Sequence, residues 1–295
     1  MTEWREDVLG DEFECTDLEL GEDAEGPLVA TLVRALPERR GFWDQTFGDP
    51  RMLEDVDVLY VHGWNDYFFQ KHLARFYTER GASFFALDLR KYGRSLRDGQ
   101  TAGYVDHLAD YDDEIGQALA IIRDQDQHAS HASWWQRRDP QPLRRLLLLG
   151  HSTGGLVLSL WAGRHSGVAD ALLLNSPWLE LQLSSVARKA LAPVVGIRAK
   201  LSPHVVALPQ IDLGFYWQAL RECCSEDEFS IINHAWRLEK SPIVRAGWLS
   251  TVLEGHTTIN AVIDVTVPVC GRLSARSHFG LSWDDAMLRA DTVLE

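Results

Sequence analysis

The chain is expected to fold as an α/β domain built on a mostly parallel sheet flanked by helices. Two observations carry that expectation. Four short runs, at 56–61, 84–87, 146–149 and 171–174, are apolar almost throughout and rich in strand formers. Continuous rather than alternating apolarity marks strands buried on both faces, the condition of a parallel sheet. Amphipathic stretches at 68–80, 104–123 and 155–165 separate these runs. Strand alternating with helix is the pattern of right-handed crossovers.

The remaining elements follow in chain order. Residues 13–20 and 28–36 alternate apolar and polar, and the joining stretch 21–26 carries glycine and three acids. This is the signature of an N-terminal antiparallel hairpin. The polar stretch 124–141, with His128 and His131, reads as an exposed, solvated loop. From 177 to 263 the alternation lapses into a region with Phe215, Tyr216, Trp217, Trp236 and Trp248, punctuated by prolines. A helical insertion covering one end of the sheet accounts for it. Strand character returns at 265–269. The resulting division is a core over 1–178, a helical cap over 179–262, and an incomplete return to the core over 263–295.

Composition narrows the function classes. The 295 residues carry 29 basic and 43 acidic side chains, a net charge of -14. That balance argues against nucleic-acid or anionic-membrane surfaces, which need clustered basic charge. Hydrophobic content of 45% with 24% charged residues suits a globular chain with a sizeable core. Apolar runs such as 146–149 fall far short of the roughly 20 residues of a membrane helix, so no transmembrane segment is expected. The acidic N-terminus lacks a signal-peptide pattern. Cys15, Cys223, Cys224 and Cys270 have neither metal-ligand nor disulfide-framework spacing. A reduced, cytoplasmic protein without a metal site is the expectation.

The chemistry centres on Gly150-His151-Ser152-Thr153-Gly154, a G-x-S-x-G between a leucine strand and the helical stretch 155–161. Strand, sharp turn and helix form the setting of a nucleophile elbow. Serine sits on the strained turn, while Gly150 and Gly154 remove side chains where backbone crowds in. Thr153 opens the helix with its N–H aimed at a developing oxyanion. A second loop, His62-Gly63-Trp64-Asn65-Asp66-Tyr67, follows a strand and offers the Trp64 N–H as the other donor. His62 reads as a residue that ties down this loop, and His151 as a neighbour whose side chain points away from the serine. Asp88 closes a strand and reads as a turn-fixing carboxylate.

Together these segments resemble the α/β-hydrolase superfamily, in its serine-aminopeptidase, monoacylglycerol-lipase and lysophospholipase-like branch. The resemblance rests on His62-Gly63-Trp64, on Asp88-Leu89-Arg90-Lys91-Tyr92-Gly93-Arg94-Ser95 in a D-x-R-G-x-G-x-S position, and on Gly150 to Gly155. Lys91 departs from the pattern by replacing its first glycine. The resemblance covers residues 10–180 well and the rest loosely. It implies an α/β-hydrolase fold with a helical cap, a Ser–His–Asp triad, no cofactor, and hydrolysis of small ester or amide substrates. Serine in place of aspartate at the elbow disfavours the dehalogenase and epoxide-hydrolase branches.

In this superfamily the acid and then the histidine follow the nucleophile. Ala290-Asp291-Thr292-Val293 resembles the acid loop, so Asp291 is the expected acid, with Asp284 and Asp285 in reserve. No histidine follows Asp291, and the chain reads as truncated before its base. His278, His256, His234 and His204 are the upstream substitutes. An unpaired sheet edge would invite a second chain, so a homo-oligomer is one expected assembly. The leading expectation is a carboxylic-ester hydrolase. Its rivals are a non-catalytic hydrolase-fold protein that binds an apolar ligand or partner, and an aminopeptidase for short peptides.

Overall fold

A computed structural model describes residues 2–37, 51–131, 144–181, 185–208, 214–261 and 263–273. In chain order the strands are β1 (Arg5–Asp7), β2 (Gly10–Asp23), β3 (Gly26–Ala35), β4 (Val56–Val61), β5 (Ser83–Asp88), β6 (Arg145–His151), β7 (Ala171–Asn175), β8 (Val206–Leu208), β9 (Val244–Arg245) and β10 (Val269–Arg272). The helices are α1 (Lys71–Thr78), α2 (Tyr111–His131), α3 (Thr153–Arg164), α4 (Ser185–Leu201), α5 (Gly214–Cys223), α6 (Glu226–Ser230) and α7 (Ala246–Asn260). Among the described residues, eight strands form one sheet in the order β1-β2-β3-β5-β4-β6-β7-β10. The five from β5 to β10 run parallel, and β1 to β3 form the antiparallel edge. The expected fold class is therefore present, hairpin included.

Burial explains the apolar runs. All six positions of β4 are buried. Alternate residues enter opposite layers: Leu59 and Val61 pack with Leu87, Leu148, Leu156 and Trp248, while Val58 and Tyr60 pack with Phe13, Phe68, Phe84 and Trp217. A strand with helices on both faces has no solvent face, so it carries no polar alternation. The hairpin strand β2 buries Phe13 and Cys15 in one layer and Leu18 in the other, while Glu14 and Asp17 between them stay partly exposed.

Two expectations need correction. Residues 124–131 are not loop; they continue α2 to His131. The stretch is polar but contains no glycine or proline, so nothing stops a helix already nucleated on its amphipathic side. The rest of the expected loop lies outside the described residues. The last described strand begins at Val269 rather than Val265. Pro268 has no N–H to give the ladder; it offers only its carbonyl, which accepts the Leu172 N–H at 3.0 Å. Helices α4 to α7 occupy most of 185–260, and α7 sends Trp248, Leu249 and Val252 into the core against α3.

Candidate active site at the carboxyl ends of the parallel strands

Among the described residues, four non-glycine positions have positive φ: Asn65 at 56°, Lys91 at 62°, Ser152 at 51° and Ser176 at 44°. Each follows the carboxyl end of a parallel strand, β4, β5, β6 and β7 respectively. Left-handed backbone at a side-chain-bearing residue costs of order 1–3 kcal/mol and survives only where the surroundings enforce it. Its concentration along one sheet edge, the edge where open α/β sheets bind ligands, marks that edge as the functional one.

Ser152 stands at the centre, with φ 51° and ψ −117°, between β6 and the first turn of α3. Its N–H donates to Asn175 O at 3.1 Å, and its carbonyl accepts from Trp178 N–H at 2.9 Å as well as from the helix. The elbow depends on missing side chains. A Cβ at Gly154 would lie 2.3 Å from His62 O, and one at Gly150 would lie 2.7 Å from Gly155 Cα. A Cβ at Gly63 would meet Ser152 Cβ at 2.9 Å and Oγ at 3.4 Å. The loop after β4 is thus pressed against the serine; Trp64 follows Gly63 in that loop, and Thr153 follows Ser152 as the first residue of α3. Their N–H groups are the expected oxyanion donors.

The histidines near this edge are spoken for. His62 Nε2 accepts the Leu89 N–H at 3.1 Å, which places the proton on Nδ1, and that donates to Gly63 O at 2.7 Å. Both ring nitrogens hold loop backbone. His151 contacts Asn175 through Nδ1, and burial lowers its pKa. His256 on α7 donates from Nε2 to Trp178 O at 2.9 Å. Among the described residues, no histidine hydrogen-bonds the Ser152 hydroxyl. Asp291, Asp284, Asp285 and His278 lie outside the described residues. Among those described, no group of three or more His, Cys, Asp or Glu side chains is placed to hold a metal ion.

Asp88 is fully buried and engaged by the Phe68 N–H at 2.8 Å, the Arg94 N–H at 3.1 Å and the Arg94 guanidinium at 2.8 Å. That is the work of a turn-fixing carboxylate. Lys91 explains its own departure from the glycine pattern. Its left-handed backbone is one that glycine adopts freely, while its buried Nζ reaches Asp23 and Glu25, each at 2.6 Å, and ties the hairpin tip to this loop. Sequence reading missed a further feature. Trp64, Trp248 and Trp178 stack in series, with ring centroids 5.4 and 6.1 Å apart, beside the elbow. Three tryptophans so far apart along the chain leave no local pattern to find.

The sheet order, the strained serine and the glycine-lined elbow define an α/β-hydrolase. Residues 55–235 match the family described as serine aminopeptidase, S33 (Hydrolase_4), and the chain belongs to that family. It is also similar to lysophospholipase L2 of Escherichia coli, at 32% identity over 99 residues. That match spans 33% of this chain and 25% of the relative. A carboxyl esterase from Bacillus coagulans shares the fold with a TM-score of 0.54 at 13% identity, covering 88% of this chain and 89% of that one. A monoglyceride lipase from Saccharomyces cerevisiae does so with a TM-score of 0.52 at 16% identity, covering 88% and 73%.

Proposed function

We propose that this chain is a serine hydrolase of carboxylic esters, of the lysophospholipid or monoacylglycerol kind, acting through an acyl-enzyme on Ser152. Ser152 Oγ attacks the acyl carbonyl carbon, and the carbonyl oxygen gains the negative charge. The N–H groups of Trp64 and Thr153 receive that oxyanion. Collapse of the tetrahedral intermediate releases the alcohol, and water then cleaves the acyl group from the serine. By family resemblance a histidine carries the proton between these steps, with Asp291 orienting it. Residues 179–262 act as the cap over this edge, rooted in the core through α7. No cofactor takes part. Free cysteines at 15, 223, 224 and 270 suit a reducing, cytoplasmic setting.

The observation that carries the reading is the backbone of Ser152, held at φ 51° and ψ −117° at a helix N-terminus with Gly63 pressed against its side chain. The test is a hydrolysis panel of p-nitrophenyl esters, a lysophosphatidylcholine, a monoacylglycerol and an aminoacyl amide, with Ser152→Ala as control. Ester cleavage that the variant loses is the expected result. Cleavage that survives in Ser152→Ala would sink the mechanism, and cleavage of the amide alone would move the assignment to an aminopeptidase.

A further inference from the structure

The loop after β4 carries one expected oxyanion donor, yet three consecutive residues of it are fastened by chain some 170 positions away. Asn65 donates from Nδ2 to Leu238 O at 2.9 Å and accepts the Leu238 N–H on Oδ1 at 3.2 Å. Its amide thereby pairs with both polar groups of one backbone residue, as a neighbouring strand would. Asp66 accepts from the Arg237 guanidinium at 2.6 Å, with both side chains almost fully buried. The Tyr67 hydroxyl accepts the Asn233 N–H at 2.7 Å, and Trp217 Nε1 on α5 donates to the same Leu238 carbonyl at 3.2 Å. Arg237 is enclosed further by the rings of Phe69 and Tyr216, at 5.2 and 5.1 Å.

We infer that residues 233–238 clamp the loop 62–67 against Ser152, with Asn65 and Arg237 as positioning residues. The inference rests on the serine-hydrolase reading for its catalytic consequence, but not for the clamp itself. An oxyanion donor works only if it is preorganised before charge develops, and misplacement by about 1 Å can cost of order 100-fold. Trp64 has no other covalent support than Gly63, which lacks a side chain, and Asn65, whose left-handed backbone must be enforced. Asparagine tolerates that backbone and supplies the two bonds that enforce it. Arg237 and Leu238 lie beyond the family match, which ends at residue 235.

The discriminating variant is Asn65→Gly, since glycine keeps the left-handed backbone and removes only the amide. Arg237→Lys keeps the charge and loses the planar guanidinium, and Asn65→Asp keeps the acceptor while losing the donor. Hydrogen exchange on the full chain should show the amides of 62–67 exchanging about 10-fold faster or more in Asn65→Gly, with the thermal midpoint little changed. The maximal rate of Ser152 labelling by a fluorophosphonate should fall about 10- to 100-fold, with half-saturating probe concentration unchanged. Asn65→Asp and Arg237→Lys should fall between that variant and wild type. Wild-type exchange at 62–67 in Asn65→Gly would overturn the clamp. Faster exchange with an unchanged labelling rate would overturn its catalytic role. A wild-type chain that is not labelled would overturn the hydrolase reading instead, and exchange alone then decides the clamp.

Discussion

The loop after β5 is fastened by residues beside it and by the N-terminal hairpin. Asp88 holds Arg94 six positions on, Arg94 reaches back to Asp7, the Ser95 hydroxyl donates to Asp88 O, and Lys91 grips Asp23 and Glu25. The loop after β4, which abuts Ser152, takes its fastening at 65–67 from residues 233–238. Both loops contain a left-handed non-glycine residue and a buried ion pair. They differ in what they answer to. The first is locked by the part of the chain that builds the sheet edge. The second is locked by the region between the helices, so whatever disturbs 233–238 reaches the loop pressed against Ser152.

Breaking the β5 lock should be the most damaging change. Arg94→Met leaves two buried carboxylates, Asp7 and Asp88, without their cation. Burial alone would raise the Asp7 carboxyl, and the Arg94 hydrogen bonds outweigh it to hold the pKa below its ordinary value. Removing one partner of such a network costs about 3–5 kcal/mol. Urea denaturation should show that loss, and a change under about 1 kcal/mol would mean that the network is dispensable. Gly154→Ala comes next. Its Cβ would lie 2.3 Å from His62 O and 2.4 Å from Val61 O, so β4 and α3 must separate. A loss of about 2–3 kcal/mol is expected in the same assay, with Ser152 labelling abolished.

A milder effect lies in the acid limb of stability. Burial would raise the Glu25 carboxyl, but hydrogen bonds from Lys91 and from the Thr101 hydroxyl and N–H outweigh it and hold its pKa at about 2. A depressed native pKa contributes stability that is complete above the ordinary value of 4.5 and is lost as pH falls toward 2. Glu25→Gln should therefore flatten stability between those two pH values relative to wild type, while lowering it at neutral pH. Equal slopes in both proteins would show that Glu25 does not titrate with unfolding. The smallest effect is a gain. Ser152→Gly relieves the left-handed strain and should raise stability by about 1 kcal/mol while removing all activity. A destabilised variant would mean that the serine side chain supports the elbow.

The contrast also explains what the sequence disclosed. The elbow was legible because its chemistry is local: a strand, five residues with two glycines, and a helix. The parallel core was legible because burial on both faces removes polar alternation from β4 and β5. Asp88 was readable as a turn-fixer because its partners fall within a short span. Residues 124–131 are polar enough to suggest a loop, yet they are helical because no glycine or proline interrupts them. The Asp66–Arg237 pair and the tryptophan stack could not be read at all, since only the fold brings residues so far apart together.

Whether Ser152 is an activated nucleophile can be read from intact-mass spectrometry after incubation with a fluorophosphonate. A single covalent adduct on the wild-type chain, absent from Ser152→Ala, is the expected result. A folded wild-type chain that gains no mass, or a Ser152→Ala chain that gains the same adduct, would contradict it.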